Sequence, residues 1–339
     1  MRIAAHWGVF MADPVDFVEV WRGGILESVH RGHAVVVDET GAIVQAWGDP
    51  DAVVFPRSSA TMLQALPMVE SGVADRFGLT NEQLALSCAS HSAAPIHTDR
   101  VQRWLKDLDL DDGAFRCGPN WPMDRDARNA LIKTDTSPCR YHNECSGKHC
   151  GFLTMTKANG WGPEYVEVNH PLQVLVKRTF EEVTGEVSPA WGIDGCSAPN
   201  FATSLLGMGR AMARFACAGN DTRGSAMIRL REAMMAHPEL VANDDRACTQ
   251  LMRAANGKGA FKTGAEGYFV AILPEQRLGV ALKIVDGAQR ARDCAIAAIL
   301  CKLGVLNAND PAVKAYRNPD LTNFAGLITG NIRPGSALA

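Results

Sequence analysis

Four stretches of the 339-residue sequence hold side chains able to do chemistry. FPRSSATMLQ (55–64) sets Ser58 and Ser59 behind Pro56, at a strand-to-helix turn whose backbone N–H groups favour negative charge on a substrate oxygen. A serine nucleophile needs a base, and a lysine one helical turn on would share its face. That position is Thr61, which takes up no proton at neutral pH. The plainer reading makes Ser58 or Ser59 the N-cap of a helix over 59–73. Lys262-Thr263-Gly264 sets an amine, a hydroxyl and a flexible backbone at a strand entrance, or else is a solvated lysine beside a turn. In LSCASHS (86–92), Ser90 could relay a proton between nucleophile and lysine, and His91 could donate to a substrate carboxylate or amide. The alternative there is a capped loop with one satisfied histidine. Last, Cys145 and Lys148 stand at i, i+3 spacing, and Cys196 could meet them from a separate loop. Two thiolates suit Zn²⁺, whereas an amine ligates only when deprotonated, against an ordinary lysine pKa of about 10.4. Read from the residues alone, structural cysteines are the better reading.

The elements that must position these groups follow from periodicity. HAVVVDETGAIVQAWG (33–48) is two β-branched, apolar runs joined at Asp38-Glu39-Thr40-Gly41, the composition of a hairpin. GYFVAILPEQRLGVALKIVDG (267–287) repeats the design. Helical patterns fill the middle at 171–184, 222–236 and 244–255, and another amphipathic helix follows at 288–303. The stretch 111–145, rich in Gly, Pro, Asn, Asp and Cys, reads as a long loop. The expectation is an α+β fold with one antiparallel sheet built from N- and C-terminal hairpins, covered by helices. A single domain spans 11–339, with a sheet subdomain at about 15–60 and 260–339 and a mostly helical insertion at about 60–260. A cleft forms where insertion meets sheet. Residues 1–10, before the MADPVDF that opens at Met11, read as an N-terminal extension.

Composition excludes other classes. With 47% hydrophobic and 21% charged residues the chain can bury a large core. A formal net charge of -3 and the lack of Lys/Arg runs argue against nucleic acid and anionic membrane surfaces as partners. No run of about eighteen apolar residues and no convincing leader is seen, so a cytoplasmic location is expected. Ten cysteines in such a chain read as buried thiols, ligands or catalytic groups rather than disulfides. Cys88, Cys117, Cys217, Cys248, Cys294 and Cys301 are expected in the core.

Six segments together resemble the asparaginase II family of the Rhizobium etli type, the class 3 L-asparaginases: WRGGILESVHRGHAVVVD (21–38), FPRSSATMLQALPMVESG (55–72), CASHS (88–92), NECSGKH (143–149), WGIDGCSAP (191–199) and KTGAEG (262–267). They occur in family order across most of the chain. The resemblance implies a fold related to serine β-lactamases and glutaminases, hydrolysis of L-asparagine to L-aspartate and ammonia, and a homodimer. It implies Ser58 as nucleophile, Ser90 as the second active-site serine, Lys262 as its lysine partner, and Cys145, Lys148 and Cys196 as zinc ligands. The departure is Thr61, where the family carries the lysine that pairs with the nucleophile. Arg57, Gln64, Ala65 and Leu66 keep the motif around it, so Thr61 reads as an isolated or engineered substitution that impairs activity rather than fold.

The expected reaction is attack of Ser58 on the side-chain amide of asparagine, with Ser90 and Lys262 as the remaining proton route and poor turnover. Asp194 is expected to hold a zinc-bound water or the substrate ammonium. Arg57 and His91 are candidate carboxylate contacts, Arg57 being equally a buried ion-pair residue. Two other functions stay open: an amino-acid-binding or zinc-binding protein with little catalysis, and a β-lactamase-like serine hydrolase using Ser58 and a Lys-Thr-Gly strand.

Overall fold

The computed structural model describes residues 12–339, so the expected extension at 1–10 lies outside the described residues. Its centre is an eight-stranded antiparallel sheet whose strands come from the two ends of the sequence. The N-terminal part supplies β1 (Val15–Arg22), β2 (Ile25–Val37) and β3 (Ile43–Trp47). The C-terminal part supplies β4 (Ala260–Gly264), β5 (Tyr268–Leu273), β6 (Leu278–Ile284), β7 (Asp320–Thr322) and β8 (Ile328–Pro334). The order is β7-β8-β1-β2-β6-β5-β4, with β3 on β2. Chain ends meet where β1 pairs with β8 and where β2 pairs with β6, Val36 facing Val280.

Local chemistry explains these elements. The β2–β3 turn is built by Asp38, whose Oδ1 accepts from the Thr40 N–H at 2.8 Å and the Thr40 hydroxyl at 2.6 Å, and by Gly41 at φ +82°, a left-handed backbone suited to glycine. Ala34 to Val37 are all fully buried, so this part of the sheet is covered on both faces. Helices α1 (Thr61–Glu70), α2 (Asn81–Ser87), α3 (Arg125–Lys133), α4 (Ser146–Asn159), α5 (Leu205–Ala216), α6 (Ala247–Ala255) and α7 (Gln289–Lys302) are those that bear on the site and its cover. Both α5 and α7 pack on β6. The α5 backbone comes so close to β6 that a side chain at Gly279 would strike Ala213 N and Gly209 O. The helices expected at 171–184, 222–236 and 288–303 are found at Pro171–Thr184, Thr222–Ala236 and Gln289–Lys302.

Three expectations change. The stretch 111–145 is not all loop: α3 lies within it, capped by Asp124, which accepts from the Ala127 N–H at 2.8 Å. The helix expected from 59 begins as a 3-10 turn, Arg57–Ala60, and becomes α-helical only at Thr61. The helix expected from 244 starts at Ala247. All ten cysteines are free; Cys88, Cys117, Cys248 and Cys294 are buried as expected, while Cys217 and Cys301 are only partly so. Among the described residues no helix is long and apolar enough to cross a membrane.

Candidate active site

The site forms where the start of α1 meets the edge strand β4. Lys262 lies inside β4, opposite Val270 of β5, rather than on a solvated turn. Gly264 ends the strand against the serine turn. A Cβ there would come within 2.5 Å of Pro56 O and 2.6 Å of Ser59 Oγ, so only glycine lets the two segments approach this closely. From the other side, Arg292 of α7 is buried and donates to Gly264 O at 3.2 Å.

Arg57, just before Ser58, takes a left-handed backbone with φ +52°, unusual for a side chain of its size. Its guanidinium is held by Asp194 at 2.6 Å, so the ion-pair alternative for Arg57 is the one the fold adopts. Half-buried Ser58 follows, with its hydroxyl free of protein hydrogen bonds among the described residues. Neither Ser58 nor Ser59 caps a helix: the capping positions are Pro56 and Ala60, and neither makes a side-chain capping bond. Ser59 is fully buried with an unpartnered Oγ.

Thr61 is fully buried one turn on. Its hydroxyl donates to Cys88 O at 2.6 Å and lies 3.1 Å from Ser58 O, so it contacts backbone carbonyls and not the Ser58 hydroxyl. The effect is to tie the serine turn to the Cys88–Ser90 segment. Ser90 receives a hydrogen bond from Lys262 Nζ at 3.0 Å, and Lys262 also donates to Thr263 O at 2.9 Å. Burial without a carboxylate partner pulls the Lys262 pKa from 10.5 down to about 8.

His91 is turned inward. Its Nδ1 accepts from the Ala93 N–H at 3.1 Å, and its Nε2 donates to Ser146 Oγ at 2.8 Å, the Ser146 proton being used on Tyr141 O. Fully buried, the ring is held well below the ordinary imidazole pKa by desolvation first. Both nitrogens are occupied, so the substrate contact expected of His91 is not available in this geometry.

Cys145, Lys148 and Cys196 do come together. Cys145 precedes the first turn of α4, which puts Lys148 and His149 on the same helix face. A side chain at Gly147 would strike Leu86 O at 2.5 Å, so α4 lies tight against the end of α2. Cys196 arrives from the tight turn between the paired strands Trp191–Ile193 and Pro199–Phe201, where Ser197 N–H donates to Asp194 O at 2.8 Å. Lys148 Nζ donates to Cys196 Sγ at 3.2 Å. The contact between the two thiols and burial hold the Cys145 pKa well above its ordinary value, while the contact with Cys145 first, and the charge of Lys148, hold that of Cys196 well below. Burial opposes charge on Lys148, but the two sulfurs and Asp194 outweigh it and raise its pKa.

Two thiols and an amine could hold a soft divalent cation, which would have to displace both the proton shared by the thiols and the one that the raised Lys148 pKa keeps on the amine. Among the described residues no group of three or more His, Cys, Asp and Glu is placed to hold a metal, so such a site depends on the amine of Lys148. At its edge His149 Nε2 is buried and without a hydrogen-bond partner among the described residues, while its Nδ1 meets Tyr165 Oη at 2.8 Å; burial lowers the pKa of the ring. His149 did not emerge from sequence reasoning; its place one residue after Lys148 was the signal.

An antiparallel sheet with a helical insertion, a serine turn against a Lys-Thr-Gly strand, and a thiol–amine cluster define an amide-hydrolase class of site. The L-asparaginase II family model matches residues 18–334, and the chain belongs to that family. No curated protein matches the sequence. Among solved structures the chain is similar to a putative β-lactamase from Bacteroides dorei, at 14% identity and a TM-score of 0.41 over 75% of this chain and 84% of that one. It is also similar to Mglu in its native form, at 14% identity and a TM-score of 0.39, with 83% of this chain covering 62% of that one. A β-lactamase from Mycobacterium bovis is a third, at 13% identity and a TM-score of 0.33, over 80% of this chain and 94% of that one.

Proposed function

We propose that this protein is an L-asparagine amidohydrolase in which Ser58 is the nucleophile and the Ser90–Lys262 pair moves its proton. The observation that carries this reading is the 3.0 Å bond from a desolvated Lys262 to Ser90, on a strand pressed against the serine turn. Ser58 Oγ attacks the side-chain amide carbon of asparagine, and its proton passes through Ser90 to neutral Lys262. The proton returns to the amide nitrogen as the C–N bond breaks, releasing ammonia. Water then cleaves the ester, Lys262 again serving as base, and aspartate leaves. Cys145, Lys148 and Cys196 would hold Zn²⁺, which supplies positive charge and orients polar groups beside the serine. Arg57 keeps Asp194 fixed between the two halves of the site.

Thr61 supports the further reading that turnover is slow, since its hydroxyl contacts carbonyl groups and has no basic lone pair to offer Ser58. The same observation favours, as a second reading, an amino-acid-binding protein without turnover. Family membership supports a homodimer, and a cytoplasmic location belongs to the same proposal; sedimentation and cell fractionation test them. The deciding experiment measures ammonia and aspartate from L-asparagine with this chain and its Thr61→Lys form. Release by either form that disappears in Ser58→Ala supports the enzyme. Background rates in both, with L-asparagine still bound, favour the binding protein, and turnover of a chromogenic β-lactam instead favours the rival hydrolase.

A further inference from the structure

The charged groups around Ser58 are mostly spoken for. Arg57 holds Asp194, Lys148 holds Cys196, and Lys262 holds Ser90. Two groups of opposite charge are left over. Glu144 is half-buried, and its carboxyl makes neither a hydrogen bond nor an ion pair among the described residues. Its place is fixed by its backbone carbonyl, which accepts from the His91 N–H at 2.9 Å, next to Ser90. Arg246 is also half-buried, and among the described residues its guanidinium meets only Met123 Sδ, at 3.7 Å.

Arg246 is brought to the same place from the opposite side. The segment leading to it runs along the serine loop, with Ser90 N–H donating to Val241 O at 3.0 Å and Ser92 N–H to Ala242 O at 3.1 Å. Immediately after it, Cys248 of α6 accepts from the Thr263 N–H at 3.2 Å, beside Lys262. Glu144 and Arg246 therefore come from two segments that bracket the Ser90–Lys262 pair, one bonded to the backbone of His91 and the other to those of Ser90, Ser92 and Thr263. A partly desolvated carboxylate and guanidinium without partners are costly to keep, and a ligand carrying both charges would satisfy them. A free α-amino acid is such a ligand.

We propose that Glu144 and Arg246 form a clamp for the two backbone charges of an α-amino acid, Glu144 receiving the α-ammonium and Arg246 the α-carboxylate. The inference rests on the amidohydrolase reading of this site and assigns the residues that meet the two backbone charges of its substrate. A peptide-bound asparagine, lacking both charges, is excluded.

Calorimetry on the unaltered chain tests this with L-asparagine, with succinamate, which lacks the ammonium, and with β-alaninamide, which lacks the carboxylate. Each truncated ligand should bind about 10- to 100-fold more weakly than L-asparagine, the span of one hydrogen bond to a charged group. Glu144→Gln should weaken L-asparagine by a similar factor and leave succinamate unchanged. Arg246→Gln should weaken L-asparagine and leave β-alaninamide unchanged. Melting temperature and zinc content of each variant separate a lost contact from a damaged fold or metal site. Truncated ligands that bind as well as L-asparagine overturn the clamp, as does equal loss of full and truncated ligands in a folded variant. If L-glutamine binds with this pattern and L-asparagine does not, the clamp stands and the asparagine reading falls. If L-asparagine is hydrolysed without the pattern, the reverse holds; if no α-amino acid binds, both fall.

Discussion

Raising the pH of an ammonia-release assay from 6 to 9 should increase kcat about 100-fold in the chain as it stands. With Thr61 unable to act as base, Ser58 depends on Lys262, which accepts a proton only as the neutral amine. Burial sets the Lys262 pKa at about 8, so the neutral fraction is about 1% at pH 6 and about 90% at pH 9. Stability should follow the same proton. The folded pKa is below the unfolded one, so the cost of burying the charge is fully present below pH 8 and disappears as pH rises from 8 to 10.5. The drop in pKa corresponds to about 3 kcal/mol. Lys262→Met should abolish the residual activity and, at pH 7, recover part of that cost. The bonds to Ser90 Oγ and Thr263 O that it removes are worth about 1 kcal/mol each, which leaves a net gain of about 1 kcal/mol. In a chain of this size that is a rise in Tm of roughly 2 °C. A flat rate profile between pH 6 and 9, or turnover that survives Lys262→Met, refutes the proton route. A lower Tm for Lys262→Met at pH 7 refutes the account of its burial.

Thr61→Lys should raise kcat by about two to four orders of magnitude, the worth of a general base, and the gain should vanish when Ser58→Ala is added. The same change removes the bond to Cys88 O and buries a longer polar side chain, so thermal unfolding should begin at lower temperature. Elemental analysis after loading with zinc and desalting should find about one Zn²⁺ per chain, and much less in Cys196→Ser; equal retention would remove Cys196 from the site. Gly264→Ala should cost about 1–3 kcal/mol in urea unfolding and most of the activity, because the added methyl strikes Pro56 O and Ser59 Oγ. Full activity in that variant would mean that β4 and the serine turn need not touch.

The parts of the fold legible in the sequence are those where burial and periodicity agree. The hairpin at 33–48 could be read because Ala34–Val37 are apolar without interruption and Asp38 and Gly41 supply turn chemistry. The β1–β2 hairpin was not read: its turn, Gly23-Gly24, joins stretches in which Glu19, Arg22 and Glu27 interrupt the apolar pattern, and Ile25 and Leu26 lie exposed. The β7–β8 hairpin escaped for a similar reason, since Leu327 and Ile328 face solvent at its tip. Helix α3 is short, largely polar and buries none of its residues, so packing leaves little mark on its sequence, and the Asp124 cap marks its start. Ordinary hydrophobic patterning cannot report elements that bury so little.

The site divides differently. The i, i+3 spacing was enough to set Cys145 and Lys148 on one helix face, whereas the association of Ser90 with Lys262 came from the family resemblance and depends on the sheet that joins the two ends of the chain. Assigning substrate contacts needed something else. Arg57, His91 and Asp194 have the right chemistry for binding an amino acid, yet each is engaged within the protein. Which charges a substrate meets depends on which remain after internal pairing, and pairing across 137 residues, as between Arg57 and Asp194, leaves no mark in local sequence. Glu144 stands in the metal motif and Arg246 at the start of a helix, and residue type alone distinguishes neither from a solvated surface charge. Their lack of partners beside a buried Lys262 does, and it makes the ammonium and carboxylate of the ligand, rather than its amide, the first groups to vary in testing what this protein binds.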